Sequence, residues 1–165
     1  MPERAALTLP DEAATLAAGR AIGQAILESE SAALVIFLQG ELGAGKTCLC
    51  RGILRTLGHR GRVPSPTYTL IEPYQLGRWR AYHVDLYRLE HAEEVAELDL
   101  LALPGPAVVV LVEWPERGRH FLPHPDLEIG LTVLAHGRRL QITSQTPVGA
   151  AILRRSGAFP EEIKG

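Results

Sequence analysis

The sequence predicts an α/β domain of three layers on a mixed sheet, with parallel strands at the centre and antiparallel hairpins at the edges. Leu34-Val-Ile-Phe-Leu38 and Val108-Val-Val-Leu-Val112 indicate the centre, because short unbroken apolar runs rich in β-branched residues suit strands buried on both faces. Leu127, Ile129, Leu131 and Val133 alternate with other residues, as do Leu140 and Ile142, which predicts an edge hairpin turning at His136-Gly137.

Asp11 to Leu27 reads as a helix, with Pro10 or Asp11 at its start and Leu16, Ile22, Ile26 and Leu27 on its apolar face. The strand at Leu34 to Leu38 runs into a glycine-rich turn, and Lys46 to Leu57 comes next as a helix with Leu49, Ile53, Leu54 and Leu57 at helical spacing. Gly58 supplies a left-handed stop. After the loop Arg60 to Pro66, Tyr68 to Tyr74 and Trp79 to Val84 read as two extended stretches joined by a turn at Gln75 to Arg78. Glu90 to Leu101 reads as a helix with Val95, Leu98 and Leu101 in line, ended by Pro104-Gly-Pro106. Beyond Thr143 the pattern fades. One domain over 1–145 and a mobile tail over 146–165 are therefore expected, and a chain of 165 residues suits a single core.

Bulk composition excludes several classes. With 46% hydrophobic and 22% charged residues the chain is neither disordered nor fibrous. Lys plus Arg less Asp plus Glu is 17 − 19 = −2, which offers no basic field for gripping nucleic acid unaided, so RNA is expected to be met through a partner. No apolar run approaches a membrane span and Met1 begins no signal-like segment, so the expected location is the cytoplasm, with no membrane partner. Cys48 and Cys50 are two apart in a predicted helix and point in different directions, which suits reduced residues at or near the core better than a disulfide or shared metal.

The chemistry concentrates in Gly40-Glu-Leu-Gly-Ala-Gly-Lys-Thr47, a G-x-x-x-x-G-K-[ST] phosphate loop set between a buried strand and an amphipathic helix. That setting makes the predicted fold P-loop NTPase-like. Glycines at 40, 43 and 45 let backbone N–H groups close around an anion, so the nucleotide-binding residues are expected to be Glu41, Leu42, Gly43, Ala44, Gly45, Lys46, Thr47 and Cys48. Lys46, one of two lysines in the chain, supplies a cation to the β- and γ-phosphates, and the Thr47 hydroxyl a ligand for Mg2+. Guanine-selective enzymes use an Asn/Thr-Lys-x-Asp element; this chain has no asparagine and no lysine placed for it, which points to ATP.

Three further candidates flank the loop. Glu113 ends the second apolar strand, where such proteins hold magnesium or its waters; the plainer reading is a cap on the next turn. Asp85 sits at a similar strand end and could orient the attacking water, or cap the next segment of chain. Thr67, after Pro66, could face the γ-phosphate from a switch-like loop, or lie in an ordinary turn. His83 reads as a packed strand residue with no ligand at metal-binding spacing, and is assigned no chemistry. Trp114 suits either a nucleotide or partner surface or the core.

Together with the loop, Val63-Pro-Ser-Pro-Thr-Tyr-Thr-Leu70, Ile71-Glu-Pro-Tyr74, His83-Val-Asp-Leu-Tyr-Arg88 and Leu111-Val-Glu-Trp-Pro-Glu116 resemble the TsaE (YjeE) family from about Leu9 to Thr143. The resemblance implies the ATPase of bacterial tRNA threonylcarbamoyladenosine synthesis, working with TsaD and TsaB, which transfer the threonylcarbamoyl group made as its adenylate by TsaC. It further implies that Lys46 and Thr47 hold phosphate and magnesium, that Glu113 lies on the magnesium side and that Asp85 is needed for turnover. Thr67 belongs, by the same likeness, to the nucleotide-sensing loop, and Arg138 and Asp11 approach the nucleotide. Two rival readings stand beside it: a small-molecule kinase with the same loop, and a nucleotide-binding adaptor without turnover.

Overall fold

A computed structural model describes residues 2–29, 33–103 and 105–157. Its elements are β1 (Arg4–Leu9), α1 (Glu12–Glu28), β2 (Ala33–Gly40), α2 (Lys46–Leu57), β3 (Ile71–Leu76), β4 (Trp79–Asp85), β5 (Val108–Glu113), β6 (Leu127–Val133), β7 (Arg138–Ser144) and α3 (Pro147–Ser156). The strands form one sheet in the order β1-β7-β6-β2-β5-β4-β3. Parallel pairing joins β6, β2, β5 and β4, while β1-β7, β6-β7 and β3-β4 pair antiparallel, which is the mixed sheet the sequence predicts. The apolar runs behind β2 and β5 lie at the centre because only strands covered on both faces can bury every residue.

All three α-helices cover one face. Leu34, Ile36, Leu38, Val109 and Leu111 point toward them, along with Ile22, Ile26, Leu49, Ile53, Ile152 and Leu153. The alternate residues Val35, Phe37, Val108, Val110 and Val112 face a thinner layer of 3-10 turns through Val95, Leu100 and Leu122. Of the large residues expected on the apolar face of α1, Ile22 and Ile26 are buried and Leu16 half-buried, whereas Leu27 is 37% exposed, and the buried face also includes the small residues Gly19 and Gly23. A Cβ on Gly52 would lie 2.6 Å from the Leu16 carbonyl oxygen and 3.0 Å from the Gly19 Cα, so the two backbones nearly touch.

Several expectations change. Residues 147–156, expected in a mobile tail, form α3, capped by the Thr146 hydroxyl and docked through buried Ile152 and Leu153; residues 158–165 lie outside the described part. β1 is an element that the sequence pattern does not predict. The helix expected over Glu90–Leu101 is two 3-10 segments, Ala92–Leu98 and Leu100–Ala102, broken at Asp99 with φ 53°. The three-residue spacing of Val95, Leu98 and Leu101 suits a 3-10 turn, but the break rotates Leu100 inward and leaves Leu101 63% exposed. Pro104, expected to help end that helix, also lies outside the described residues. No helix among the described residues is long and apolar enough to cross a membrane.

Candidate functional site

β2, β5 and β4 are parallel, and their registers align Leu38 with Glu113 and Glu113 with Asp85. Their carboxyl ends therefore finish side by side, where ligands of open α/β sheets bind. β2 leads directly into the phosphate loop. Gly45 adopts φ 108°, and among the described residues no side chain caps α2, which leaves its first-turn N–H groups to meet an anion. A Cβ on Gly45 would overlap the guanidinium of Arg138, which reaches the loop from the start of β7. The Arg138 Nε is buried without a hydrogen-bond partner among the described residues.

Lys46 is only 4% exposed, and its ammonium donates to the carbonyl oxygens of Gly40 (2.5 Å) and Glu41 (3.0 Å). The Trp114 ring lies under it, with its centroid 4.1 Å from Nζ. Burial lowers the Lys46 pKa, against the opposing pull of Glu113 and Asp85. The Thr47 hydroxyl lies 3.1 and 3.0 Å from the two Glu113 carboxylate oxygens. A hydroxyl and a carboxylate converging beside a phosphate loop are the hard oxygen donors that magnesium prefers.

Glu113 and Asp85 are each 3% exposed. Asp85 Oδ2 accepts from Ser65 (2.7 Å) and Thr67 (3.4 Å), and its Oδ1 accepts from the Tyr87 N–H (2.9 Å). The carboxylate thus fastens the 63–70 loop to the end of β4. Leu42, Gly43, Ala44, Gly45, Lys46, Thr47, Cys48, Thr67, Asp85 and Glu113 border one cleft of about 210 Å3, with Ser65, Tyr87 and Trp114 completing it. Glu41 contributes its backbone carbonyl. Asp11 instead caps α1 by accepting from the Ala14 N–H (2.8 Å) and does not border the cleft.

Sequence reasoning passes over Ser65 and leaves His83 without a role. No ligand of His83 is apparent at metal-binding spacing in the sequence; in the structure one donor atom each from Cys50, His83 and Glu113 lie within 4.8 Å of one another. The three come from α2, β4 and β5, so only the sheet brings them together. His83 Nε2 is 2.5 Å from Glu113 Oε2. Burial, with the Glu113 charge next, raises the Cys50 thiol well above its ordinary value and keeps it protonated. Cys50 is buried and Cys48 half-buried, and neither is in a disulfide.

Comparisons with known proteins fit this architecture. A family model described as threonylcarbamoyl adenosine biosynthesis protein TsaE matches residues 9–140. The chain is 36% identical over 146 residues to the tRNA threonylcarbamoyladenosine biosynthesis protein TsaE of Haemophilus influenzae, covering 88% of this chain and 92% of that one. It is 39% identical over 121 residues to the protein of the same name from Treponema pallidum, covering 73% and 86%. The crystal structure of Bacillus subtilis YdiB superposes with a TM-score of 0.75 over 95% of this chain and 96% of that one, at 24% identity, and so shares the fold.

Proposed function

Because the chain belongs to the TsaE family, which serves tRNA threonylcarbamoyladenosine biosynthesis, we propose that it is a magnesium-dependent ATPase acting on a TsaB–TsaD complex. One observation carries the reading: the Thr47 hydroxyl of the phosphate loop meets the Glu113 carboxylate at the end of the neighbouring parallel strand. These two residues would hold the magnesium ion, which when bound neutralises charge on the phosphate oxygens. The α2 N-terminus and the Lys46 ammonium would supply the cationic wall for the phosphates, with the Arg138 guanidinium, which does not border the cleft, packed behind Gly45.

The cleft is smaller than the ~300–1,000 Å3 typical of pockets enclosing a whole small molecule, so it suits the phosphate end and leaves the nucleoside near the surface. To bind, Lys46 must exchange the loop carbonyls for phosphate oxygens. Asp85, held by Ser65, Thr67 and the Tyr87 amide, is fixed where it can accept a proton from a water or orient it. The same bonds couple the phosphate site to the 63–70 loop. Tyr68, 82% exposed in that loop, and Leu42, 70% exposed on the rim, offer apolar surface to a partner, with tRNA met through the complex.

The test mixes the chain with TsaB, TsaD, tRNA and ATP and monitors phosphate release. Stimulation over the chain alone is expected, with Glu113→Gln and Asp85→Asn each losing about 10²–10³ of the rate. Absence of stimulation refutes the partner role, and turnover indifferent to both substitutions refutes the site. One observation favours a kinase instead: Arg51, Arg55 and Arg62 line a groove that includes Thr47 and Ser65, as an anionic acceptor would need. Phosphoryl transfer to an added acceptor at the expense of phosphate release decides for that reading.

A further inference from the structure

β4 alternates Trp79, Ala81, His83 and Asp85 onto the helix-covered face, which sets His83 beneath α2 with no solvent exposure. A buried imidazole is costly unless its nitrogens are partnered. Nε2 is partnered, 2.5 Å from Glu113 Oε2, whereas Nδ1 has no hydrogen bond among the described residues. That asymmetry selects the proton position. A proton on Nδ1 alone would leave a ring lone pair facing a carboxylate oxygen. A proton on Nε2 satisfies the contact, and His83 donates to Glu113.

Among the described residues the Glu113 carboxylate is otherwise held by a single hydroxyl, that of Thr47, placed almost equally between its two oxygens. On the ATPase reading above, on which this inference rests, that hydroxyl would be engaged by the metal in the nucleotide-bound state. The carboxylate then needs a second anchor. We propose that His83 is a positioning residue, whose Nε2–H holds the Glu113 carboxylate aimed at the magnesium site from inside the core while Thr47 is engaged elsewhere. Outer partners that orient metal-directed carboxylates typically contribute about 10–100-fold in metal affinity or activity.

Two similar polar substitutions separate this role from mere packing. His83→Gln can place an amide N–H about where Nε2 lies, whereas the shorter His83→Asn cannot reach Glu113; His83→Leu removes the donor altogether. For each variant that unfolds cooperatively, ATP affinity is measured in EDTA and in magnesium, and then partner-stimulated turnover. His83→Asn and His83→Leu should keep the metal-free affinity while losing about 10–100-fold in the magnesium-dependent gain and in turnover, and His83→Gln should restore most of both. Should His83→Leu not fold, the Gln and Asn pair still decides. In the free wild-type protein, 15N NMR of labelled histidine should show the His83 proton on Nε2.

His83→Asn matching the wild type, His83→Gln failing as badly as His83→Asn, or an Nε2 found without a proton overturns the inference while leaving the ATPase reading standing. A wild-type chain whose nucleotide affinity ignores magnesium overturns both.

Discussion

Replacing Gly45 by alanine tests the phosphate cradle directly. With φ 108°, this position asks a Cβ-bearing residue to adopt left-handed backbone at a cost of about 1–2 kcal/mol. The reduced freedom of the unfolded chain offsets about 0.4–1 kcal/mol of that. The net loss of about 1 kcal/mol should lower Tm by about 2–4 °C in a chain of this size. Gly58→Ala is the matched control, because Gly58 has φ 124° and a Cβ there meets nothing within 4 Å, at the opposite end of α2 from the cleft. Both variants should lose similar stability. Only Gly45→Ala drives a methyl into the Arg138 guanidinium, beside the proposed phosphate site. Displacing one charge-assisted hydrogen bond, about 1.5–3 kcal/mol, corresponds to about 10- to 150-fold weaker binding. Calorimetric titration with magnesium ATP, paired with thermal unfolding of both variants, supplies the comparison. Equal affinity in the two, within about threefold, would refute the assignment of this backbone to phosphate binding.

Lys46 and α3 yield two more expectations. Burial holds the Lys46 pKa below its ordinary value. A lysine lowered in the folded state contributes stability that is fully present above the unfolded pKa and lost as pH falls through the folded one. Between those two values stability should therefore rise with pH, Lys46→Met should abolish the slope, and nucleotide affinity should decline as the ammonium is lost. An unchanged slope in Lys46→Met would show that another group titrates there. For α3, Ile152→Ala removes a side chain that is 1% exposed and should cost about 2–5 kcal/mol in urea unfolding. A loss under about 0.5 kcal/mol, as at an exposed position, would mean that the helix does not dock.

The site is legible in the sequence where its chemistry is local. The phosphate loop, the limits of α2 and its glycine stop lie within one stretch of chain, so spacing alone locates them. Glu113 is legible as an acid at the end of an apolar run. The resemblance, not the local pattern, points to Arg138, and the structure explains why: it reaches Gly45 only because β7 pairs with β6, which lies beside β2. Ser65 and Asp85 are similarly separated by a hairpin. β1 escapes notice because Arg4–Leu9 is an edge strand of mixed burial, defined by its ladder with β7 rather than by its own pattern.

Hydrophobic period, glycine placement and side-chain type thus determined the α/β class, the central strands and the glycine-rich loop between β2 and α2, since each is set by neighbours a few residues apart. Tertiary structure alone decided which distant groups share that loop. Parallel register sets Asp85 beside Glu113, and the cover of α2 brings Cys50 to His83 and Glu113. The physical reason is that hydrogen-bond geometry and burial depend on distances through space, which residues far apart along the chain acquire only when the sheet assembles.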